Sequence, residues 1–108
     1  MYIMSQNGEV TVNSATLSSV EIRPTKFTED DLQQAFPEPY AIVAYGSGKK
    51  EYPMGIYADR EEALELLGYM HNAMGHSEKT FEFWQSFKVD EYCRILRIQS
   101  ALMPEHTR

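Results

Sequence analysis

A strand end, a helix and a glycine stop follow one another in GIYADREEALELLGYMHNAMGH, residues 55–76. Asp59 precedes the helical pattern, and Glu62 stands three residues later, which is the spacing of a capping box. Gly75 suits the left-handed position that commonly ends a helix. Apolar residues repeat at three- and four-residue steps and predict one buried stripe: Ala63, Leu66, Leu67, Met70, Ala73 and Met74. The segment therefore predicts an amphipathic helix over residues 59–74 that lies on a sheet.

The first thirteen residues predict a β-hairpin. YIMSQ and EVTVN flank Asn7-Gly8, a pair that tolerates the positive φ angles of a tight two-residue turn. With that turn Ile3 faces Val12, and Ile3, Val10 and Val12 share one face of the hairpin. The hairpin is therefore predicted to bury one side.

Four more segments predict strands: SSVEIRP, YAIVAYG, EYPMGIY and KTFEFW. YAIVAYG is almost continuously apolar, which favours a central position in the sheet. Pro53 lacks an amide proton and therefore places EYPMGIY at an edge or a bulge. Between these strands, Thr28 is predicted to cap a short helix in FTEDDLQQAFPEP.

The last predicted element is VDEYCRILRIQSALM, residues 89–103, whose apolar residues nearly encircle a helix. Such a helix packs on two sides or against another subunit. Over residues 90–102 a strand centred on RILRIQ remains the alternative. The whole chain, residues 1–108, is predicted to be a single α+β domain. It is expected to have one antiparallel sheet of five or six strands, with the main helix on one face and a C-terminal helix.

Charge and cysteine content exclude several classes of protein. The net charge is −6, which argues against electrostatic capture of nucleic acid or of an anionic membrane. The single cysteine, Cys93, excludes an intrachain disulfide and favours a reducing, cytoplasmic location. The amino terminus has no signal-peptide pattern, and no segment approaches the roughly 20 apolar residues of a membrane helix.

Motifs for catalysis or metal binding are weak. YGSGKK departs from the phosphate-binding loop in its glycine spacing and lacks a serine or threonine after the lysine, so it predicts a hairpin turn. His71 and His76 are five residues apart, whereas a metal pair on one helical face needs three or four. No catalytic residue, metal site or cofactor is predicted, and the protein is not expected to be an enzyme.

The seven tyrosines suggest two kinds of surface. Aromatic side chains provide contact area at binding sites, and they can stack a nucleotide base. A nucleotide-like ligand is predicted to be held by Tyr45, Lys49, Lys50 and Tyr52. A protein interface, with a second copy of the chain or a host protein, is predicted to contain Tyr69, Tyr92, Leu96 and Leu102.

The segments MYIMSQNGEVTVN and MGIYADREEALELLGYM also carry a resemblance. Residues 1–22 and about 40–84 resemble a group of short proteins from Gram-positive bacteria and their prophages, with a Met-rich hairpin, a strand, a helix and a closing strand. The resemblance implies a small α+β domain and a phage or mobile-element setting, and it implies no activity. The expected function is that of a non-enzymatic accessory protein acting through protein contacts, such as an inhibitor of a host defence protein. The alternative is a small-molecule binding protein.

Overall fold

The structure is a computed structural model that describes residues 1–102. It confirms the α+β class and the helical alternative for residues 90–102; Met103, the last residue of the predicted helix, lies outside the described residues. The elements in chain order are β1 (Tyr2–Met4), β2 (Thr11–Asn13), β3 (Leu17–Pro24), α1 (Asp30–Ala35), β4 (Tyr40–Gly46), β5 (Glu51–Tyr57), α2 (Arg60–Gly75), β6 (Thr80–Glu82) and α3 (Phe87–Leu102).

The strands form two three-stranded sheets, in the orders β2-β1-β6 and β3-β4-β5. The predicted single antiparallel sheet is therefore wrong in its arrangement. The physical reason is that β6 returns to β1 and pairs with it in parallel, with Phe81 beside Ile3. β1 consequently has partners on both sides within its own small sheet.

The N-terminal hairpin has the predicted register, with Ile3 opposite Val12. Its turn differs from the predicted one. The N–H of Gly8 donates to the carbonyl of Ser5 at 2.9 Å, and the left-handed conformation falls on Gly8, with φ at 75°. Asn7 instead accepts the N–H of Glu9 with its side chain at 3.0 Å. The turn therefore spans four residues and contains one left-handed position, which glycine adopts without steric cost.

In the second sheet β4 is central, as its apolar sequence predicts. β5 lies at an edge, and its register with β4 shifts between the pairs Ile42–Gly55 and Val43–Pro53. The extra residue, Met54, is buried. Both parts of the Pro53 prediction, an edge and a bulge, are thus confirmed.

Gln6 joins the two sheets. Its N–H donates to the carbonyl of Met54 at 2.6 Å, and its side chain forms a pair of hydrogen bonds with the backbone of Ile56. A Cβ atom on Gly55 would lie 3.1 Å from the Cβ of Gln6, so the absence of a side chain at Gly55 permits this close approach.

Helix α2 covers the core that both sheets share. Its buried residues Ala63, Leu66 and Met70 belong to one cluster with Ile3 and Ile42. Burial of a large aliphatic side chain contributes about 1.5–3 kcal/mol, so this cluster stabilises α2 much more than its helix propensity does.

The helix starts differ from the predicted caps in detail. Asp59 caps α2 as expected, because its Oδ1 accepts the N–H of Glu62 at 2.9 Å. The carboxylate of Glu62, however, binds the N–H of Ala58 and not that of Asp59. At α1 the cap position is Glu29, so the predicted Thr28 cap is wrong: the Thr28 hydroxyl donates to the Glu29 side chain at 3.4 Å.

The end of α2 is also shifted relative to the prediction. Gly75 is the last helical residue, and Ser77 takes the left-handed conformation, with φ at 56°. The N–H of Ser77 donates to the carbonyl of Met74, and the N–H of Glu78 to that of Ala73, each at 3.1 Å. These two hydrogen bonds form a Schellman motif with serine where glycine is usual.

Replacing Gly75 by alanine is therefore expected to raise the free energy of unfolding by about 0.5–1 kcal/mol, because a helical glycine costs conformational entropy and open space surrounds this position.

The Ser77→Gly variant is expected to raise the free energy of unfolding by about 1 kcal/mol, because serine is strained at positive φ. Urea denaturation measures both changes. A Gly75→Ala variant less stable than the parent protein would support the left-handed glycine that the sequence predicts.

Candidate functional site

The start of α3 is fixed to the body of the protein, residues 1–86, by a buried carboxylate. Ser86 caps α3, because its Oγ accepts the N–H of Val89 at 3.2 Å. Glu62, in the first turn of α2, accepts the N–H of Ala58 at 2.9 Å and the N–H of Lys88 at 3.1 Å. It also accepts the hydroxyl of Ser86. The carboxylate lies at the positive ends of two helices and links them.

A surface ion pair also links the start of α3 to the start of α2. Lys88 Nζ bonds to Asp59 Oδ2 and lies 3.9 Å from a carboxylate oxygen of Glu61. The hydrogen bond to Asp59 raises the pKa of Lys88. For Asp59, partial burial acts to raise the pKa, but the hydrogen bonds from Lys88 and from the N–H of Glu62 outweigh it, and the pKa is lowered. Both groups are therefore held in their charged forms at neutral pH.

One side of α3 packs on the body near this joint. Val89, Tyr92 and Cys93 are half-buried there. The ring of Tyr92 meets the ring of Phe36 edge-on, with 5.6 Å between centroids. Tyr92, a predicted interface residue, therefore contacts its own chain. Leu96 follows on the same side of the helix and is exposed.

The other side of α3 carries an apolar stripe that faces away from the body. We call it the outer stripe; its members are 44% to 77% exposed and are Phe87, Ile95, Ile98 and Leu102. All sixteen residues of α3 are half-buried or exposed. The radius of gyration is 16.6 Å, whereas a compact domain of this length would have about 13 Å. α3 thus contributes large apolar side chains to the surface rather than to a core.

An exposed row of aromatic rings continues the outer stripe onto the body. Trp84 is 46% exposed and lies 6.4 Å from Phe87 and 5.0 Å from Tyr69 between ring centroids. We call Tyr69, Trp84 and Phe87 the aromatic row. The predicted interface residue Tyr69 is 40% exposed and belongs to it. Of the four predicted interface residues, Leu102 thus belongs to the outer stripe and Tyr69 to the aromatic row.

The backbone below the aromatic row is fixed. The carbonyl of Trp84 accepts the hydroxyl of Tyr57 at 2.6 Å and the side-chain amide of Gln6 at 3.2 Å. Burial raises the pKa of Tyr57, and the negative charge of Glu62 raises it further, so the hydroxyl stays protonated and continues to donate. The backbone that carries the exposed ring of Trp84 is therefore held by two side chains of the body.

The net charge of α3 differs in sign from that of the body. Residues 1–86 carry seven more acidic than basic residues, whereas α3 carries three basic and two acidic residues. Along α3, the acids Asp90 and Glu91 precede the bases Arg94 and Arg97. All the charges of α3, including that of Lys88, lie within residues 88–97, and residues 98–102 carry none.

The predicted ligand residues are brought together only in part. Tyr52 is paired with Ala44 and its ring covers Gly46, on the side of β4 that faces the core. Tyr45 is paired with Glu51 on the opposite side, and its hydroxyl accepts a hydrogen bond from Arg23 at 2.6 Å. The two tyrosines therefore lie on opposite faces of the sheet and do not form one platform for a base.

The two lysines lie at the tip of the same hairpin and are exposed. Lys50 Nζ lies 5.9 Å from the centre of the Tyr52 ring, a cation–π contact. Lys49 takes a left-handed conformation, with φ at 64°, directly after Gly48. Lys49 lines a shallow surface depression with Tyr45, whereas Lys50 lies with Tyr52, so the four residues divide into two pairs.

His71 and His76 are both exposed, and Nδ1 of His76 lies 2.8 Å from the carbonyl of Asn72. Within residues 1–102, no three His, Cys, Asp or Glu side chains come together as a metal-binding group. In the same part of the chain, no helix is both long enough and apolar enough to cross a membrane.

Sequence reasoning missed Glu62, Trp84 and Phe87 as site residues. Glu62 fits its local role as a capping-box residue, so nothing in the sequence indicates its bonds to Ser86 and Lys88. The alternation in KTFEFW puts Trp84 on the same side as Glu82, and a tryptophan at such an outward position is the signal that could have marked the aromatic row.

Comparison of the chain with protein-family models, with curated proteins and with solved structures finds no match.

Proposed function

We propose that this protein is a non-enzymatic interaction protein that acts through the outer stripe of α3 and is a homo-oligomer. The observation that carries the proposal is the exposure of four large apolar side chains on one side of a helix whose other side already packs on the body. Large exposed apolar patches are rare on monomeric proteins, and apolar side chains gathered on one surface are typical of protein interfaces.

The energetics favour association through this surface. Full burial of one large aliphatic or aromatic side chain contributes about 1.5–3 kcal/mol, so covering a side chain that is 44% to 77% exposed contributes roughly half of that or somewhat more. Two copies that cover each other's outer stripe would remove eight such side chains from water, which is enough to offset a large part of the entropy lost on association. The aromatic row adds Trp84 and Tyr69, residue types that often dominate interface energetics.

The biological setting is part of the proposal and rests on the resemblance of residues 1–22 and about 40–84 to short prophage proteins. In that setting the protein would be a cytoplasmic accessory factor, and a host defence protein would be the kind of partner that it inhibits. The small-molecule alternative has less support, because Tyr45 and Tyr52 lie on opposite faces of their sheet.

The double variant Ile95→Glu/Ile98→Glu is expected to be a monomer under conditions where the parent protein is an oligomer. Two carboxylates buried without partners in an apolar contact should weaken association about a hundredfold or more. Light scattering coupled to size-exclusion chromatography measures the mass at several concentrations.

The matched control is Gln99→Glu/Ser100→Glu, which adds the same charge to the same helix outside the outer stripe. It should keep the oligomeric mass of the parent protein. A parent protein that is monomeric at every concentration, or an oligomer that survives in the Ile95→Glu/Ile98→Glu variant, would contradict the proposal.

A further inference from the structure

We infer that the edge of β6 and the neighbouring side of α2 form a groove that binds an extended segment of a partner protein, in which apolar and basic residues alternate. The segment adds a strand to the sheet β2-β1-β6, beside β6. This inference goes beyond self-association through the outer stripe and does not depend on it.

β6 is an outermost strand of its sheet, and β1 is its one neighbour there. The carbonyl of Lys79 and the N–H of Phe83 bond to the backbone of β1, at 2.9 Å and 3.0 Å. Because the backbone groups of alternate residues point to opposite sides of a strand, Thr80 and Glu82 direct their N–H and C=O groups away from β1. Within residues 1–102 these four groups have no hydrogen-bond partner. They form an edge to which an extended segment can be added.

The groove beside this edge has a volume of about 440 Å³. It is lined by Tyr69, Asn72 and Ala73 of α2, by Thr80 and Phe81 of β6, and by Trp84. The rings of Tyr69 and Trp84 lie in contact at one end, and the turn from α2 to β6 is at the other. Every second side chain of an added strand points to the side of the sheet that carries Phe81. Those side chains enter the groove, where Ala73 and Phe81 offer half-buried apolar surface.

The charges around the groove favour a basic segment. Glu78 lines the groove, and Glu82 lies exposed on the opposite face of β6. Among the described residues that line the groove there is no lysine or arginine, and Lys79 lines a separate depression beside Met1. The side chains of an added strand that do not enter the groove lie on the face of Glu82. A lysine or arginine at these positions pairs with that carboxylate across the strands, which stabilises the added strand.

Both sides of the groove are fixed by the protein itself. The carbonyl of Trp84 accepts hydrogen bonds from the side chains of Tyr57 and Gln6. The ring of Phe81 meets the ring of buried Phe83 edge-on, with 5.1 Å between centroids. Binding therefore costs the ordering of the partner's segment more than any ordering of the groove, which favours capture of a short extended segment.

A peptide with blocked ends in which lysine and leucine alternate, KLKLKLK, tests the inference. Trp84, the only tryptophan in the chain, reports binding through a shift of its emission. Thr80→Pro removes an outward N–H and leaves the hydrogen bonds to β1 in place, so we expect it to weaken binding at least about tenfold. Glu82→Lys is expected to weaken it by a similar factor. The matched control is Glu21→Lys, which makes the same charge change on β3, an edge strand of the other sheet, and should change the affinity less than about threefold.

Methylation of the peptide tests strand addition without any change in the protein. One peptide carries N-methyl groups on its lysine amides alone, and the other on its leucine amides alone. Because only alternate amides of an added strand face β6, we expect one methylated peptide to lose binding and the other to keep it.

Equal affinities of the two methylated peptides would overturn the inference, as would tight binding of KLKLKLK to both Thr80→Pro and Glu82→Lys. An unchanged Trp84 emission of the parent protein up to about 1 mM peptide would also overturn it. These outcomes are separate from the oligomeric mass, so the groove and the outer stripe can fail independently.

Discussion

Replacing Glu62 by alanine is expected to lower the free energy of unfolding by about 3–5 kcal/mol, and replacing it by glutamine by about 2 kcal/mol. Alanine leaves three donors without their acceptor: the N–H of Ala58, the N–H of Lys88 and the hydroxyl of Ser86. Glutamine keeps one acceptor oxygen and sets an NH₂ group against the N–H of Lys88. Thermal and urea denaturation measure the two losses.

The control for this pair is Glu65→Gln, which removes the same charge from an exposed position on the same helix. It should change stability by no more than about 0.5 kcal/mol. Equal losses for Glu62→Gln and Glu65→Gln would show that the buried bonds contribute little. Glu62→Gln is also expected to weaken self-association, because Glu62 is what holds the first turn of α3 beside the aromatic row.

Local patterns in the sequence were sufficient for the elements themselves. Alternation and the Asn-Gly pair give the register of the first hairpin, and the three- and four-residue spacing gives the buried face of α2. The structure confirms both, because hydrogen bonding within a hairpin or a helix involves residues close in the chain. The predicted caps at Thr28 and Gly75 failed, since neighbouring residues with similar chemistry can take the same role one or two positions away.

The arrangement of the strands could not be predicted in the same way. β6 pairs with β1 across most of the chain, and nothing in KTFEFW distinguishes a parallel partner from an antiparallel one. The predicted single sheet follows from assuming that successive strands are neighbours, which is the commoner case. The position of Tyr45 and Tyr52 on opposite faces depends on the length of the loop between them, which sets the register of the hairpin.

The candidate site was predicted in part. An over-apolar C-terminal segment indicated a helix with two contact sides, and the structure has one side on Phe36 and the other exposed. Ser86 and Glu62 set the rotation of α3 about its axis, and this rotation decides which side packs on the body and which side is exposed. That contact joins residues 24 apart in the sequence, so the outer stripe became visible only with the fold.

Replacing Gln6 by glutamate is expected to lower the free energy of unfolding by about 2–3 kcal/mol at pH 7. The Gln6 amide nitrogen donates to the carbonyls of Ile56 and Trp84, and the amide oxygen accepts the N–H of Ile56. Glutamate keeps the acceptor and replaces the donor by a charged oxygen that faces two carbonyls. Gln6→Ala, which leaves the Ile56 N–H without that partner, is expected to cost about 1–2 kcal/mol.

The glutamate variant should recover part of this loss at pH 4. The two carbonyls disfavour the charged form of the introduced carboxyl group, so its pKa in the folded protein lies above the value of about 4.3 in the unfolded chain. A raised pKa gives stability that is fully present below the unfolded value and is lost as the pH rises through the folded value. Urea denaturation at pH 4 and pH 7 measures the difference relative to the parent protein.

The control is Gln85→Ala, which removes one exposed hydrogen bond to the Gln6 carbonyl and should lower the free energy of unfolding by less at both pH values. A Gln6→Glu variant as stable as this control at pH 7 would show that the two sheets are joined mainly by their apolar core.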